Sequence, residues 1–181
     1  MSKLDDFTIR QAELSDLDAI AALDRDCFDV DERWSWDSWR EEVAYCVEDA
    51  TARPAGGAVI AAFMSGRAVD DKRLVVVASV GDEIASAACF HLAGDSAELY
   101  RVMTAPAWRG RGLATLLLAR GFEWASQRGA VDMLLEVRVD NGAQALYVDA
   151  GFVPFYQRTN YYGPGRDAVM MRKSLEGANN G

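Results

Sequence analysis

Apolar residues recur along the chain with two different periods, and each change of period marks an element. Thr8-Ile9-Arg10 reads as a short first strand. Ser15, with Asp18 three residues on, makes a capping-box-like start that satisfies free helix amides. Leu17, Ile20, Ala21, Cys27 and Phe28 follow at roughly helical spacing and predict a first helix over about 15–26. Trp36, Trp39, Val43, Cys46 and Val47 continue a second helical stripe to about residue 48. From Leu74 the period becomes that of strands: Leu74 to Val80, Glu83 to Leu92 and Ala97 to Thr104, separated by turns at Gly81-Asp82 and Gly94-Asp95, form an antiparallel meander.

Pro106 ends the meander, Arg109-Gly110-Arg111-Gly112 supplies a basic turn, and Leu113, Leu116, Leu117 and Trp124 stripe a helix to about Gln127, stopped by Gly129. Val131 to Val139 alternates, with Val131, Met133, Leu135, Val137 and Val139 apolar and Asp132, Glu136 and Arg138 on the other face. Asp140 or Asn141 caps a short helix that ends at Gly151. Val153 to Arg158 and Ala168 to Ser174 make a last pair of strands, joined by the loop Asn160-Tyr161-Tyr162-Gly163-Pro164-Gly165. Between the second helix and the meander, residues 49–72 break the pattern with Arg53-Pro54-Ala55-Gly56-Gly57 and a small apolar run from Ala58 to Met64, and read as an insertion, either a flap or decoration. The tail, 176–181, is expected to fray.

The chain of 181 residues fits one domain, here 1–175. It is 50% hydrophobic and 26% charged, as a chain with a packed core should be. No stretch approaches the about eighteen uninterrupted apolar residues of a membrane span, and the start, Met-Ser-Lys-Leu-Asp-Asp, is unlike a secretion signal. Cys27, Cys46 and Cys89 form no C-x-x-C pair, so the spacing supports neither a disulfide framework nor a structural metal site, and a reducing cytoplasm is the expected compartment. The single histidine, His91, shares a strand face with Cys89. The pair reads as strand packing, with a Cys/His nucleophile as the functional alternative.

Charge is unevenly placed. The net charge is −9, with fifteen acids and five bases in residues 1–50, so the other residues are nearly neutral. Such a field repels nucleic acid and draws a basic peptide or a cationic amine, unless the acids only solvate two surface helices. Trp34, Trp36 and Trp39 are either packing residues or the aromatic edge of a cleft.

A Gly-rich turn between a strand and a helix lets backbone amides approach an anion, and the helix N-terminus adds positive potential. Arg109-Gly110-Arg111-Gly112-Leu113-Ala114 has that placement, without the Gly-Lys-Ser/Thr ending of nucleotide hydrolases. This R-x-x-G-x-A stretch, after a β meander and before a helix and strand, resembles motif A of the GCN5-related N-acetyltransferase (GNAT) superfamily. The resemblance continues in Leu134-Leu135-Glu136-Val137-Arg138, Ala145-Leu146-Tyr147 and Gly151-Phe152. Leu135 to Arg138, Asn160-Tyr161-Tyr162 followed by Asp167-Ala168, and Trp34-Ser35 look like its RimI branch, which acetylates the N-terminal alanine of a ribosomal small-subunit protein.

The resemblance implies one α/β (α+β) domain with a mixed, mostly antiparallel sheet flanked by helices, whose strands four and five splay apart. It implies acetyl-CoA as cosubstrate, no metal, and transfer of the acetyl group to an amine. Coenzyme binding would fall to Met103, Thr104, Arg109, Gly110, Arg111, Gly112, Leu113, Ala114, Thr115 and Asn141. Asn141 to Tyr147 is one position shorter than the family's usual spacing, so Asp140 is the alternative occupant of the Asn position. By the same resemblance Glu136 is the base that takes the amine proton, and Tyr147 the acid that protonates the departing sulfur. The bland readings are an exposed strand Glu paired with Arg138 or a neighbour and a packed helix tyrosine. Trp34, Tyr161 and Tyr162 would line the acceptor side. The acceptor the resemblance implies is a basic protein N-terminus, with a polyamine, amino acid or aminoglycoside as the alternative. A non-catalytic acyl-CoA-binding regulator is the reading from another class.

Overall fold

The structure, a computed structural model, describes residues 7–47 and 72–175. Helices α1 (Leu17–Cys27) and α2 (Trp36–Val47) lie side by side on one face of a sheet. A short 3-10 turn over Leu14–Asp16 leads into α1, so the cap lies further back than the spacing of Ser15 and Asp18 predicts. Glu13 and Asp16 form the capping box, and Arg10 grips Asp16 with two bonds of 2.6 and 2.8 Å. Asp18 instead accepts a hydrogen bond of 2.9 Å from the indole of Trp36, joining the two helices.

Strands β2 (Arg73–Val80) and β3 (Glu83–Ala93) are apolar almost throughout because both of their faces are covered. Val75, Val77, Ala87 and Cys89 pack under α1 and α2, while Leu74, Val76, Ala88 and Phe90 belong to the core on the opposite face. There they meet α3 (Leu113–Gln127), through Leu113, Leu117, Leu118 and Trp124. Strand β1 (Phe7–Gln11) pairs with β2, and β4 (Ser96–Thr104) with β3, all antiparallel.

The crossover through α3 brings β5 (Asp132–Arg138) parallel to β4. Helix α4 (Gln144–Asp149) follows, then β6 (Val153–Arg158) and β7 (Ala168–Ser174), and the seven-stranded sheet runs β1-β2-β3-β4-β5-β7-β6. Tyr100 is an extra residue in β4, since Cys89 faces Arg101 while Phe90 faces Leu99. A bulge of this kind bends and twists its strand. Pairing between β4 and β5 accordingly covers just Ser96–Glu98 against Asp132–Leu134, and beyond it the two strands part, as expected of strands four and five.

The alternation in β5 holds for Met133, Leu135 and Val137, which are buried, whereas Val131 and Val139 lie past the strand ends and are exposed. The expected insertion falls outside the described residues save for Lys72, in the turn before β2, and the tail from 176 lies outside them too. Among the described residues no helix is long and apolar enough to cross a membrane.

Helix α3 presses close to the sheet at Gly121, where an added Cβ would lie 2.2 Å from Cε1 and 2.3 Å from Cζ of Phe90, itself fully buried. Gly121→Ala gains roughly 1 kcal/mol of helix propensity. Overpacking against a ring with no room to turn costs roughly 1–3 kcal/mol. The urea midpoint of this variant is therefore expected to fall, and a raised midpoint would show that the ring yields.

Candidate active site

Where β4 and β5 separate, a cleft of about 1080 Å³ opens. Tyr100 to Thr104 of β4 form one wall, Glu136 to Arg138 of β5 the other, the start of α3 closes one end, and Asp29, Asp31 and Glu32 from the α1–α2 connection reach over the rim.

The end at α3 is built from backbone. Gly110 and Gly112 adopt φ of 72° and 79°, a left-handed conformation that side chains disfavour, and a Cβ at either would meet nothing within 4 Å. Conformation, not space, therefore requires glycine at both. Gly112 caps α3 with no side-chain hydrogen bond to the helix, so first-turn amides stay available and the helix dipole concentrates positive potential there. This suits an anion such as a pyrophosphate. Leu113, Ala114 and Thr115 line the same end. Arg109 donates from Nε to the Thr104 carbonyl at 3.1 Å, tying the turn to the end of β4. Met103 and Thr104 line the adjoining wall, where Ser86 donates to the Met103 carbonyl at 2.7 Å.

Arg111 is not among the residues lining the cleft, and its guanidinium lies over the ring of Trp108, which is. Asn141 lies in the lining, its Oδ1 accepting from the Ala143 amide at 2.8 Å at the entry to α4. Asp140 does not, because Arg138 holds both its oxygens, at 2.9 and 2.6 Å.

Glu136 and Tyr147 both line the cleft. Glu136 is half-buried on the polar face of β5 and accepts from Arg158 of β6 at 2.8 Å, so its ion-pair partner is not the neighbouring Arg138. The hydroxyl of Tyr161 is raised above its ordinary range chiefly by its hydrogen bond to Glu136. Tyr147 is buried, edge-on to Phe152, and burial, with Tyr162 nearby, pushes its hydroxyl up to about 12. It therefore keeps its proton throughout the neutral range and presents a donor to the cleft. Tyr162 lines the cleft as well, whereas Tyr161 stands behind it, exposed, under the Arg158 guanidinium at 5.0 Å.

Trp34 is also outside the lining. Its ring supports the Arg101 guanidinium at 4.6 Å and leans on Trp39 at 4.9 Å, while its amide donates to Asp24. Asp24, fully buried, further accepts from the Trp39 indole at 3.1 Å and from Arg101 at 2.7 Å. Burial pushes the Arg101 guanidinium down, against the pull of Asp24. Glu32 continues the network: its carbonyl accepts from Arg101 at 2.6 Å, and its carboxylate from Arg138 at 2.9 Å and Arg166 at 3.4 Å. Single-residue patterns gave no sign of Asp24, Glu32, Arg101 and Arg158. The one available signal was the surplus of acid in the first fifty residues, which needed bases elsewhere.

The sequence profile of the acetyltransferase (GNAT) family matches residues 17–152. The [ribosomal protein bS18]-alanine N-acetyltransferase of Salmonella typhimurium is 35% identical over 94 residues, 50% of this chain and 64% of that protein, so the chain spans less than two thirds of its curated relative. The crystal structure of the ribosomal-protein-S18-alanine N-acetyltransferase from Escherichia coli superposes with a TM-score of 0.70 at 23% identity, covering 97% of this chain and 99% of that one. The structure of yncA from Salmonella typhimurium with its cofactor acetyl-CoA does so with a TM-score of 0.67 at 20% identity, covering 97% and 98%. These structures share the fold, and the profile takes in both rim helices, the glycine turn, Glu136 and Tyr147, so the chain belongs to the acetyltransferase (GNAT) family.

Proposed function

We propose that the protein transfers the acetyl group of acetyl-CoA to an α-amine, and that its acceptor is a protein N-terminus beginning with alanine. One observation carries the chemistry: a carboxylate, a protonated phenol and an uncapped, glycine-led helix start share one cleft. The likeness to alanine N-acetyltransferases of ribosomal protein bS18 supports the acceptor.

Acetyl-CoA supplies a thioester, and its diphosphate finds the amides of the Gly110–Thr115 turn. Backbone at Met103–Thr104, on the free edge of β4, polarises the carbonyl. An α-amine has a pKa near ~8, so its neutral form is accessible near neutral pH, and a carboxylate acting directly or through one water takes the proton it sheds on attack. As the new C–N bond forms and the C–S bond breaks, Glu136 takes the amine proton and Tyr147 gives its proton to the leaving sulfur, with no acyl-enzyme. The rim acids Asp29 and Asp31 favour an acceptor with basic residues behind its first position.

Replacing Glu136 by Gln is expected to lower kcat by about 100-fold or more while leaving acetyl-CoA affinity within about twofold, because only proton removal is lost. Unchanged kcat would take Glu136 out of the base role. Tyr147→Phe is expected to lower kcat by roughly 10- to 100-fold. Because the Tyr147 hydroxyl is pushed up to about 12, its acid form persists as pH rises, and wild-type kcat should show no alkaline fall up to about pH 10. A fall near pH ~8 would assign the acid to another group.

The acceptor is tested by mass spectrometry after incubation with acetyl-CoA, peptides differing in their first residue, and small amines. A single acetyl on the α-amine of alanine-first, basic peptides is expected, with a KM that rises with ionic strength. Acetylated polyamines beside untouched peptides would move the acceptor to the small-amine class.

A further inference from the structure

On the sheet face opposite the glycine turn, beneath α2, Glu42, Cys89 and His91 bring a carboxylate oxygen, a thiol and a ring nitrogen within 4.8 Å of one another. We propose that this cluster is a zinc site, in which Glu42, the Cys89 thiolate and His91 hold one ion that ties α2 to β3.

Cys89 and His91 are two residues apart on β3 and so share a face, and Glu42 comes down from α2 between them. His91 Nε2 lies 2.6 Å from Glu42 Oε2, and Cys89 Sγ lies 3.8 Å from the same oxygen. Tetrahedral zinc, with Zn–S of ~2.3 Å and Zn–N and Zn–O of ~2.0 Å, sets its sulfur and oxygen about 3.5 Å apart and its nitrogen and oxygen about 3.3 Å apart. Those two separations reach the tetrahedral values with shifts of under about 1 Å, and the sulfur and the ring nitrogen, within 4.8 Å of each other, must close to about 3.5 Å.

The donor set selects the metal. A thiolate with an imidazole and one carboxylate suits a borderline-soft ion, whereas magnesium and calcium take oxygen alone. Access comes from one side, since Cys89 is fully buried while the His91 and Glu42 side chains keep 15% and 13% of their surface exposed. That side leaves the fourth position to water. Loading is a ligand exchange: zinc sheds waters, the thiol proton leaves to solvent, and the sulfur–zinc bond forms.

The neighbours fit both states. The His91 ring stacks on Tyr100 at 3.9 Å, which fixes its orientation. Arg73 Nη1, 3.4 Å from Glu42 Oε2, offsets the carboxylate without metal, and Arg73 also lies over the Tyr45 ring at 4.2 Å, where it stays when zinc takes Glu42. None of the three ligands lines the acetyl-transfer cleft.

The test titrates the untagged full chain with Co²⁺, whose thiolate charge-transfer band and tetrahedral d–d bands report a cysteine ligand, and then displaces it with Zn²⁺. One Co²⁺ per chain is expected, with the charge-transfer band absent in Cys89→Ser and retained in Cys27→Ser, whose thiol donates to the Thr104 carbonyl instead. His91→Gln should weaken Co²⁺ binding by about 100-fold or more. Glu42→Gln, a same-size change at a partly exposed position, provides a second variant and should weaken it too. Zinc should raise the melting temperature of the wild type and leave that of His91→Gln unchanged. No charge-transfer band in the wild type at saturating Co²⁺, its survival in Cys89→Ser, or full affinity in both His91→Gln and Glu42→Gln would overturn the proposal and leave an ordinary His–Glu–Arg ion cluster.

Discussion

The parting of β4 from β5 after three paired residues is the constraint on which the rest depends. A parallel neighbour cannot be reached by a tight turn, so the chain must cross over through α3, and the crossover begins at the end where β4 finishes. The helix start, with its unsatisfied amides, is thereby delivered to the same end of the sheet where the strands diverge. The Tyr100 bulge lies just beyond the last residues paired with β5 and turns β4 aside. A polar cleft follows without any cavity being cut into the core, because both hydrophobic layers stay closed on either side of it.

Charge then fixes what hangs over the cleft. Acids of the N-terminal segment are matched to arginines far along the chain: Asp24 to Arg101, Glu32 to Arg138 and Arg166, Glu42 to Arg73. Only the Asp24–Arg101 pair is buried, and losing one partner of such a pair costs roughly 3–5 kcal/mol, whereas the others are partly open to water and act chiefly to hold position. Asp24 is the extreme case, wholly enclosed and reached by three donors from different parts of the fold. Through it the α1–α2 connection is anchored to β4, and the rim acids Asp29 and Asp31 inherit a fixed place.

The strands, the four α-helices and the glycine turn of the described residues were legible in the sequence because each follows from local rules: a period of two or 3.6, or a backbone angle that only glycine takes readily. Glu136 was legible through alternation together with the family likeness. The first helix cap was not, since a 3-10 turn shifts the start and spacing alone cannot reveal it. Trp34 was placed on the acceptor side by the family likeness, and only packing shows that its ring supports Arg101. The arginine partners were illegible for a plainer reason: Asp24 and Arg101 are 77 residues apart and Glu32 and Arg138 are 106 apart, beyond any spacing rule. The same holds for Glu42 beside Cys89 and His91, where ligand spacing fails because a helix and a strand contribute together.

The pairing of Glu32 bears directly on the chemistry of Glu136. Positions 136 and 138 share a face of β5, so Arg138 is the nearest cation in sequence to the carboxylate. It is instead held by Glu32 and, through two bonds, by Asp140, and both contacts aim it toward the rim. Glu136 is left to an ion pair with Arg158, whose members are 27% and 40% exposed, and to the hydroxyl of the exposed Tyr161. A pair that open to water is worth about 1 kcal/mol or less, so an incoming amine can displace it. Without Glu32 and Asp140, Arg138 would be free to swing onto its neighbour and occupy the carboxylate from the cleft wall itself. Glu32 of the N-terminal connection and Asp140, by claiming one arginine between them, thus leave the proposed base with partners weak enough to be released.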